Sequence, residues 1–167
     1  SGERLQARSL IVLIHGFSVP YFIYGPTFEF LMQSGFPVLR YDLFGRGFSD
    51  RPHVNYDLGL FVKQLADLLD SLHIAGPVSL IGLSMGGPIT AAFTTSYPLL
   101  VNRLVLIDPI GAKPITLSRV LKAAKIPIIG ELGFGLVGRK SLAKSVASDF
   151  FDPALVAKLQ SKYMIQM

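Results

Sequence analysis

A strand that reverses into a helix within five residues strands one side chain at the apex, and Gly82-Leu83-Ser84-Met85-Gly86 does this with a serine. Before the turn, Val78 to Ile81 is an apolar, β-branched run of strand character; after it, a small-residue helix runs to Tyr97 and stops at Pro98. Strand and helix pass that closely only if the residues two positions from the apex lack side chains, and Gly82 and Gly86 stand there. Ser84 then lifts its hydroxyl clear of the sheet at the positive end of a helix, where developing negative charge is stabilised. A hydroxyl so placed suits nucleophilic attack, given a base to take its proton. Nucleotide-binding turns space their glycines as G-x-G-x-x-G or G-x-x-x-x-G-K-[ST], and the glycines at 82, 86 and 87 fit neither.

Three more strands surround this turn. Leu10 to Ile14 is a continuous apolar run of the kind buried on both faces of a parallel sheet, and it ends in His15-Gly16-Phe17. Gly25-Pro26-Thr27 opens a helix after an aromatic loop, Ser18 to Tyr24, and Phe28, Leu31 and Met32 give that helix an apolar side. Pro37 to Tyr41 is the next strand, followed by the glycine-rich loop Asp42 to Asp50, in which Asp42 and Ser49 can bond the loop backbone. Tyr56 to Ile74 is the clearest helix: Leu58, Phe61, Val62, Leu65, Leu68, Leu69 and Leu72 form one stripe, with Lys63, Gln64, Asp67 and Asp70 elsewhere. Arg103 to Ile107 is the last strand, ending at Asp108-Pro109. Strand and helix alternate, which predicts an α/β fold with a parallel sheet and helices on both faces.

The G-x-S-x-G turn in this setting resembles the nucleophile elbow of the α/β-hydrolases. His15-Gly16 after the first strand and Asp42-x-x-Gly45-x-Gly47-x-Ser49 after the second match that family in register. The resemblance implies the central part of an α/β-hydrolase sheet, strands 3 to 6, in residues 1–112. It implies a partial helical cap in 113–167, where glycines, prolines and short helical pieces replace strands. It also implies that Ser84 is the nucleophile and that the backbone N–H groups of Phe17 and Met85 form the oxyanion hole. His15 precedes Ser84, whereas family triads run nucleophile, acid, histidine, so His15 is expected to hold its loop rather than act as base. Asp108 is either the triad acid or a hydrogen-bonding loop residue.

Composition is consistent with this. The 167 residues suit one domain, and with half of them hydrophobic and 16% charged a sizeable core can be buried. There are no cysteines, which removes disulfides and thiolate chemistry. The three histidines, at 15, 53 and 73, have no ligands at metal spacing, so no metal or other cofactor is expected. Net charge is +5, with 16 Lys and Arg against 11 Asp and Glu. The late excess is interleaved with aliphatic residues rather than stacking aromatics, so a solvated helix face is expected and not a nucleic-acid surface. No apolar run approaches membrane-spanning length, so no stable membrane insertion is expected, and the compartment stays open.

The family resemblance therefore implies a serine hydrolase, carboxylesterase- or lipase-like, acting on small to medium apolar acyl esters. C–C bond hydrolases, thioesterases and cofactor-free haloperoxidases keep the serine and remain alternatives, as does a non-catalytic ligand-binding protein. No histidine follows Ser84. The expectation is an interior piece of the fold, inactive or nearly so alone, whose open sheet edges invite self-association.

Overall fold

Two strands carry the structure's centre, and their direction of connection decides where a site can form. The computed structural model describes residues 8–111, which lie within the first of two units of the chain, Ser1–Ala112. The expected cap segment 113–167 lies outside the described residues. Four parallel strands, β1 (Ile11–Ile14), β2 (Val38–Arg40), β3 (Val78–Leu83) and β4 (Val101–Ile107), stand in the order β2-β1-β3-β4. Ile14 pairs with Gly82, and Leu83 with Ile107. Helix α1 (Gly25–Gln33) links β1 to β2, α2 (Leu58–Ser71) links β2 to β3, and α3 (Gly86–Ser96) links β3 to β4. From β1 the chain leaves toward one edge, and from β3 toward the other. The gap between the carboxyl ends of β1 and β3 is thus a topological switch point, where open α/β sheets bind ligands.

Strand alternation sorts the core onto two faces. Val12, Ile14, Val78 and Leu80 pack with Phe61, Leu65 and Leu69 of α2 and with Ile89 and Phe93 of α3. Ile11, Leu13 and Ile81 face the opposite side, against Tyr24 and, from α1, Phe28 and Leu31. Helices therefore cover both faces, as the alternation of elements predicts.

Several local expectations shift. The aromatic loop contains a 3-10 turn, Tyr21–Tyr24, and a second such turn, Pro98–Leu100, precedes β4, which begins at Val101 rather than Arg103. Helix α2 starts at Leu58 because the Asp57 side chain accepts the Leu60 N–H at 2.8 Å, an N-cap that ends the preceding loop. Its buried residues are Phe61, Gln64, Leu65 and Leu69, whereas Leu58 and Leu72 at its two ends are exposed. Gln64 is thus a correction: periodicity puts it away from the apolar stripe, yet it turns inward because two backbone groups of the Asp42 loop need it.

Candidate functional site

At the end of β3 the backbone turns through Ser84 with φ at 51°, a left-handed conformation that a residue with a side chain adopts at a cost. Hydrogen bonds hold it there. The Ser84 N–H donates to the Ile107 carbonyl at 2.9 Å, and the Ser84 carbonyl accepts the Gly87 N–H at 3.0 Å. The two glycines flanking the apex are needed for space. A methyl group on Gly82 would strike the Gly86 carbonyl and come within 2.6 Å of Thr90 Oγ1. One on Gly86 would strike the carbonyl of Ile14 and lie 2.9 Å from that of His15. Helix α3 therefore starts hard against the ends of both central strands, with Ser84 on the bend just before it.

Across the switch point stands the His15-Gly16-Phe17 loop. The Cβ position of Gly16 lies 3.3 Å from Ser84 Cβ and 3.7 Å from Ser84 Oγ, so the two loops face each other at van der Waals distance. Among the described residues, no backbone carbonyl outside the helices and strands accepts the N–H of Phe17 or of Met85. The structure thus brings together four of the residues singled out from sequence, Gly16, Gly82, Ser84 and Gly86, with the backbones of Phe17 and Met85 adjoining in sequence.

His15 is fully buried and both ring nitrogens are occupied. Nε2 accepts the Leu43 N–H at 3.0 Å, which leaves Nδ1 protonated and donating to the Gly16 carbonyl at 2.7 Å. Burial pushes its pKa below the ordinary 6.5, against smaller opposing effects of the Gly16 hydrogen bond and Asp42, so the ring is neutral. The 3.8 Å approach of Asp42 Oδ1 to Nε2 is accordingly no ion pair, since a neutral Nε2 with a lone pair offers no proton. His15 is a loop anchor with no nitrogen left for Ser84.

The loop after β2 is tied down by the side chains expected to do so. Asp42 Oδ1 accepts the Tyr21 N–H at 2.8 Å, Oδ2 accepts the Phe48 N–H at 2.9 Å, and Ser49 Oγ donates to the Asp42 carbonyl at 2.5 Å. Gln64 adds two bonds that periodicity could not reveal, accepting the Phe44 N–H and donating to the Asp42 carbonyl, both at 3.0 Å. Arg46 is the other residue that sequence reading passed over. Its guanidinium lies 4.6 Å over the Phe17 ring, and it donates to the carbonyls of Phe17 and Phe44, each at 3.4 Å.

Asp108 follows β4 with φ at 43°, the second non-glycine residue with left-handed backbone at this end of the sheet. Its neighbours are stitched to the serine: Ile107 accepts from the Ser84 N–H, and the Ile110 N–H donates to the Ser84 carbonyl at 3.3 Å. Pro109 abuts Gly87, where an added methyl would come within 2.6 Å of its Cβ. Asp108 is exposed at the strand's carboxyl end.

Comparison with known proteins identifies the family and the fold. The family described as "Alpha/beta hydrolase family" matches residues 11–163. An uncharacterized protein of Mycobacterium tuberculosis is 33% identical over 121 residues, 72% of this chain and 35% of its own length. The 2-hydroxy-6-oxo-2,4-heptadienoate hydrolase of Pseudomonas putida is 40% identical over 75 residues, 44% of this chain and 27% of its own. A solved carboxylesterase structure from the thaumarchaeon Nitrososphaera gargenis superposes with a TM-score of 0.65 at 25% identity, over 83% of this chain and 49% of that one. The chain thus spans about a third of the length of the curated relatives it matches.

Proposed function

We propose a function on the premise that the chain belongs to the α/β-hydrolase family: it carries the nucleophile and oxyanion half of a serine hydrolase that cleaves small to medium apolar acyl esters. The observation that carries this reading is the left-handed Ser84 at the switch point, with the Gly16 loop packed so close that a Cβ on Gly16 would lie 3.7 Å from Ser84 Oγ. In this reading Ser84 gives its proton to a base and attacks the ester carbonyl. The N–H groups of Phe17 and Met85 hold the oxygen as it becomes negative, and losing one such donor costs about 3–4 kcal/mol of barrier. The ester C–O bond then breaks, the alcohol leaves with the proton, and water releases the acid from the acyl-enzyme. The base this reading requires is a histidine other than His15, whose two ring nitrogens are spent on its loop. Asp108, stitched beside Ser84 through Ile107 and Ile110, is the carboxylate we assign to orient that histidine.

Labelling the intact protein with a fluorophosphonate tests the assignment. Ser84 takes the label in wild type and Ser84→Ala does not, and a panel of p-nitrophenyl esters ranks acyl length. Absence of both labelling and turnover would leave a binding protein on this fold. The likeness to the Pseudomonas putida hydrolase favours a second reading, C–C bond hydrolysis of a 2-hydroxy-6-oxo-2,4-dienoate. Turnover of such a substrate in preference to esters would select it.

A further inference from the structure

Phe17 sits at the rim of the site and is 55% exposed, so core packing does not fix it. Its N–H and the Gly16 carbonyl belong to one peptide unit, and His15 Nδ1 holds that unit through the carbonyl at 2.7 Å. The following unit, Phe17 to Ser18, is held on its carbonyl by Arg46 Nε, and the Phe17 ring lies 4.6 Å under the same guanidinium. A third bond, from Arg46 Nη1 to the Phe44 carbonyl, ties the guanidinium back to its own loop, which Asp42, Ser49 and Gln64 already immobilise. From these contacts we infer that Arg46 is a positioning residue, which bolts the Phe17 backbone to the Asp42–Asp50 loop and so aims the Phe17 N–H at the oxyanion.

Two further observations set this role apart from surface charge. Among the described residues no ion pair involves Arg46, so among those residues it has no carboxylate partner. Burial also pushes its pKa below the ordinary arginine value, a cost that a merely solvated cation would not bear. A planar guanidinium can stack on a ring and donate along two edges at once, whereas a lysine ammonium offers one point charge.

The inference rests on the serine-hydrolase reading, and its test separates the two. In the intact protein, kcat and KM for a p-nitrophenyl ester and the affinity of a trifluoromethyl ketone, whose adduct carries the oxyanion, are compared in wild type, R46K, R46M and F17L. Misplacing one oxyanion donor should lower kcat about tenfold to a hundredfold and weaken the ketone in step, with KM within about twofold. R46K should not rescue, and R46K with F17L should lose less than the product of the single losses, because both remove one contact. Wild-type kcat and ketone affinity in R46M, or full rescue by R46K, overturns the inference while leaving Ser84 as nucleophile. If R46M does not fold, R46K and F17L decide: multiplicative losses overturn it. Wild-type protein that neither turns over nor labels overturns the serine-hydrolase reading and this inference with it.

Discussion

His15 Nε2 accepts the Leu43 N–H at 3.0 Å, so one buried imidazole joins the loop after β1 to the loop after β2. The bond requires the neutral ring, and that makes stability depend on pH. Burial depresses the folded-state pKa below 6.5, while the unfolded chain titrates near 6.5. The unfolded state therefore binds more protons between those two values. The stabilising contribution is complete above about pH 6.5 and is lost as pH falls from there toward the depressed value. His15→Gln removes this one-proton term, at most about 1.4 kcal/mol per pH unit. Melting curves of both proteins from about pH 8 to about pH 5 should diverge in slope only below pH ~6.5; parallel curves would sink the assignment.

Ser84 accepts left-handed backbone strain for the sake of its position. Alanine at 84 keeps that strain, and glycine relieves it. Ser84→Gly should therefore be more stable than Ser84→Ala by about 1 kcal/mol, the left-handed penalty less the extra chain entropy of glycine. Urea unfolding of the two variants measures the difference. Both should lose fluorophosphonate labelling, so stability and chemistry move in opposite directions at this residue. Equal midpoints would mean that the backbone at 84 is relaxed.

How much of this site could be read from sequence follows from the range of the interactions. The elbow was legible because the turn is local: Gly82 leaves room for the Gly86 carbonyl four residues on, although Gly86 itself makes room for the distant carbonyls of Ile14 and His15. The strands were legible because β1 and β3 are nearly continuous apolar runs. Gln64 was not, because the groups it serves, the Phe44 N–H and the Asp42 carbonyl, are 20 and 22 residues away. Arg46 was hidden in the same way, 29 residues from the Phe17 carbonyl it holds. Periodicity reports which face of a helix is apolar, but not which polar residue a distant loop recruits.

Gln64 supplies the next prediction. Replacing it with leucine keeps the volume and the helix propensity but leaves the Phe44 N–H without its acceptor inside the protein. The Asp42 carbonyl retains Ser49 Oγ, so one backbone group rather than two is orphaned. Gln64→Leu should cost about 1–3 kcal/mol in urea unfolding, although hydrophobicity at that position rises. An unchanged or higher midpoint would show that the residue is not bridging the loop.

His73 offers the opposite sign. Helices α1 and α2 end in the same way. At α1, the Gly35 N–H reaches the Met32 carbonyl and the Phe36 N–H the Leu31 carbonyl; at α2, the His73 N–H reaches Asp70 and the Ile74 N–H reaches Leu69. Both are double-bonded caps that put the residue after the C-cap into left-handed backbone. That residue is Gly35 at φ 78° in one case and His73 at φ 55° in the other. The exposed His73 side chain makes no core contact to set against the strain. His73→Gly should accordingly raise stability by about 1 kcal/mol, and Gly35→Ala should lower it by a similar amount. Thermal denaturation of the two variants reads both signs at once, and a destabilised His73→Gly would show that this histidine has a partner worth more than the strain it bears.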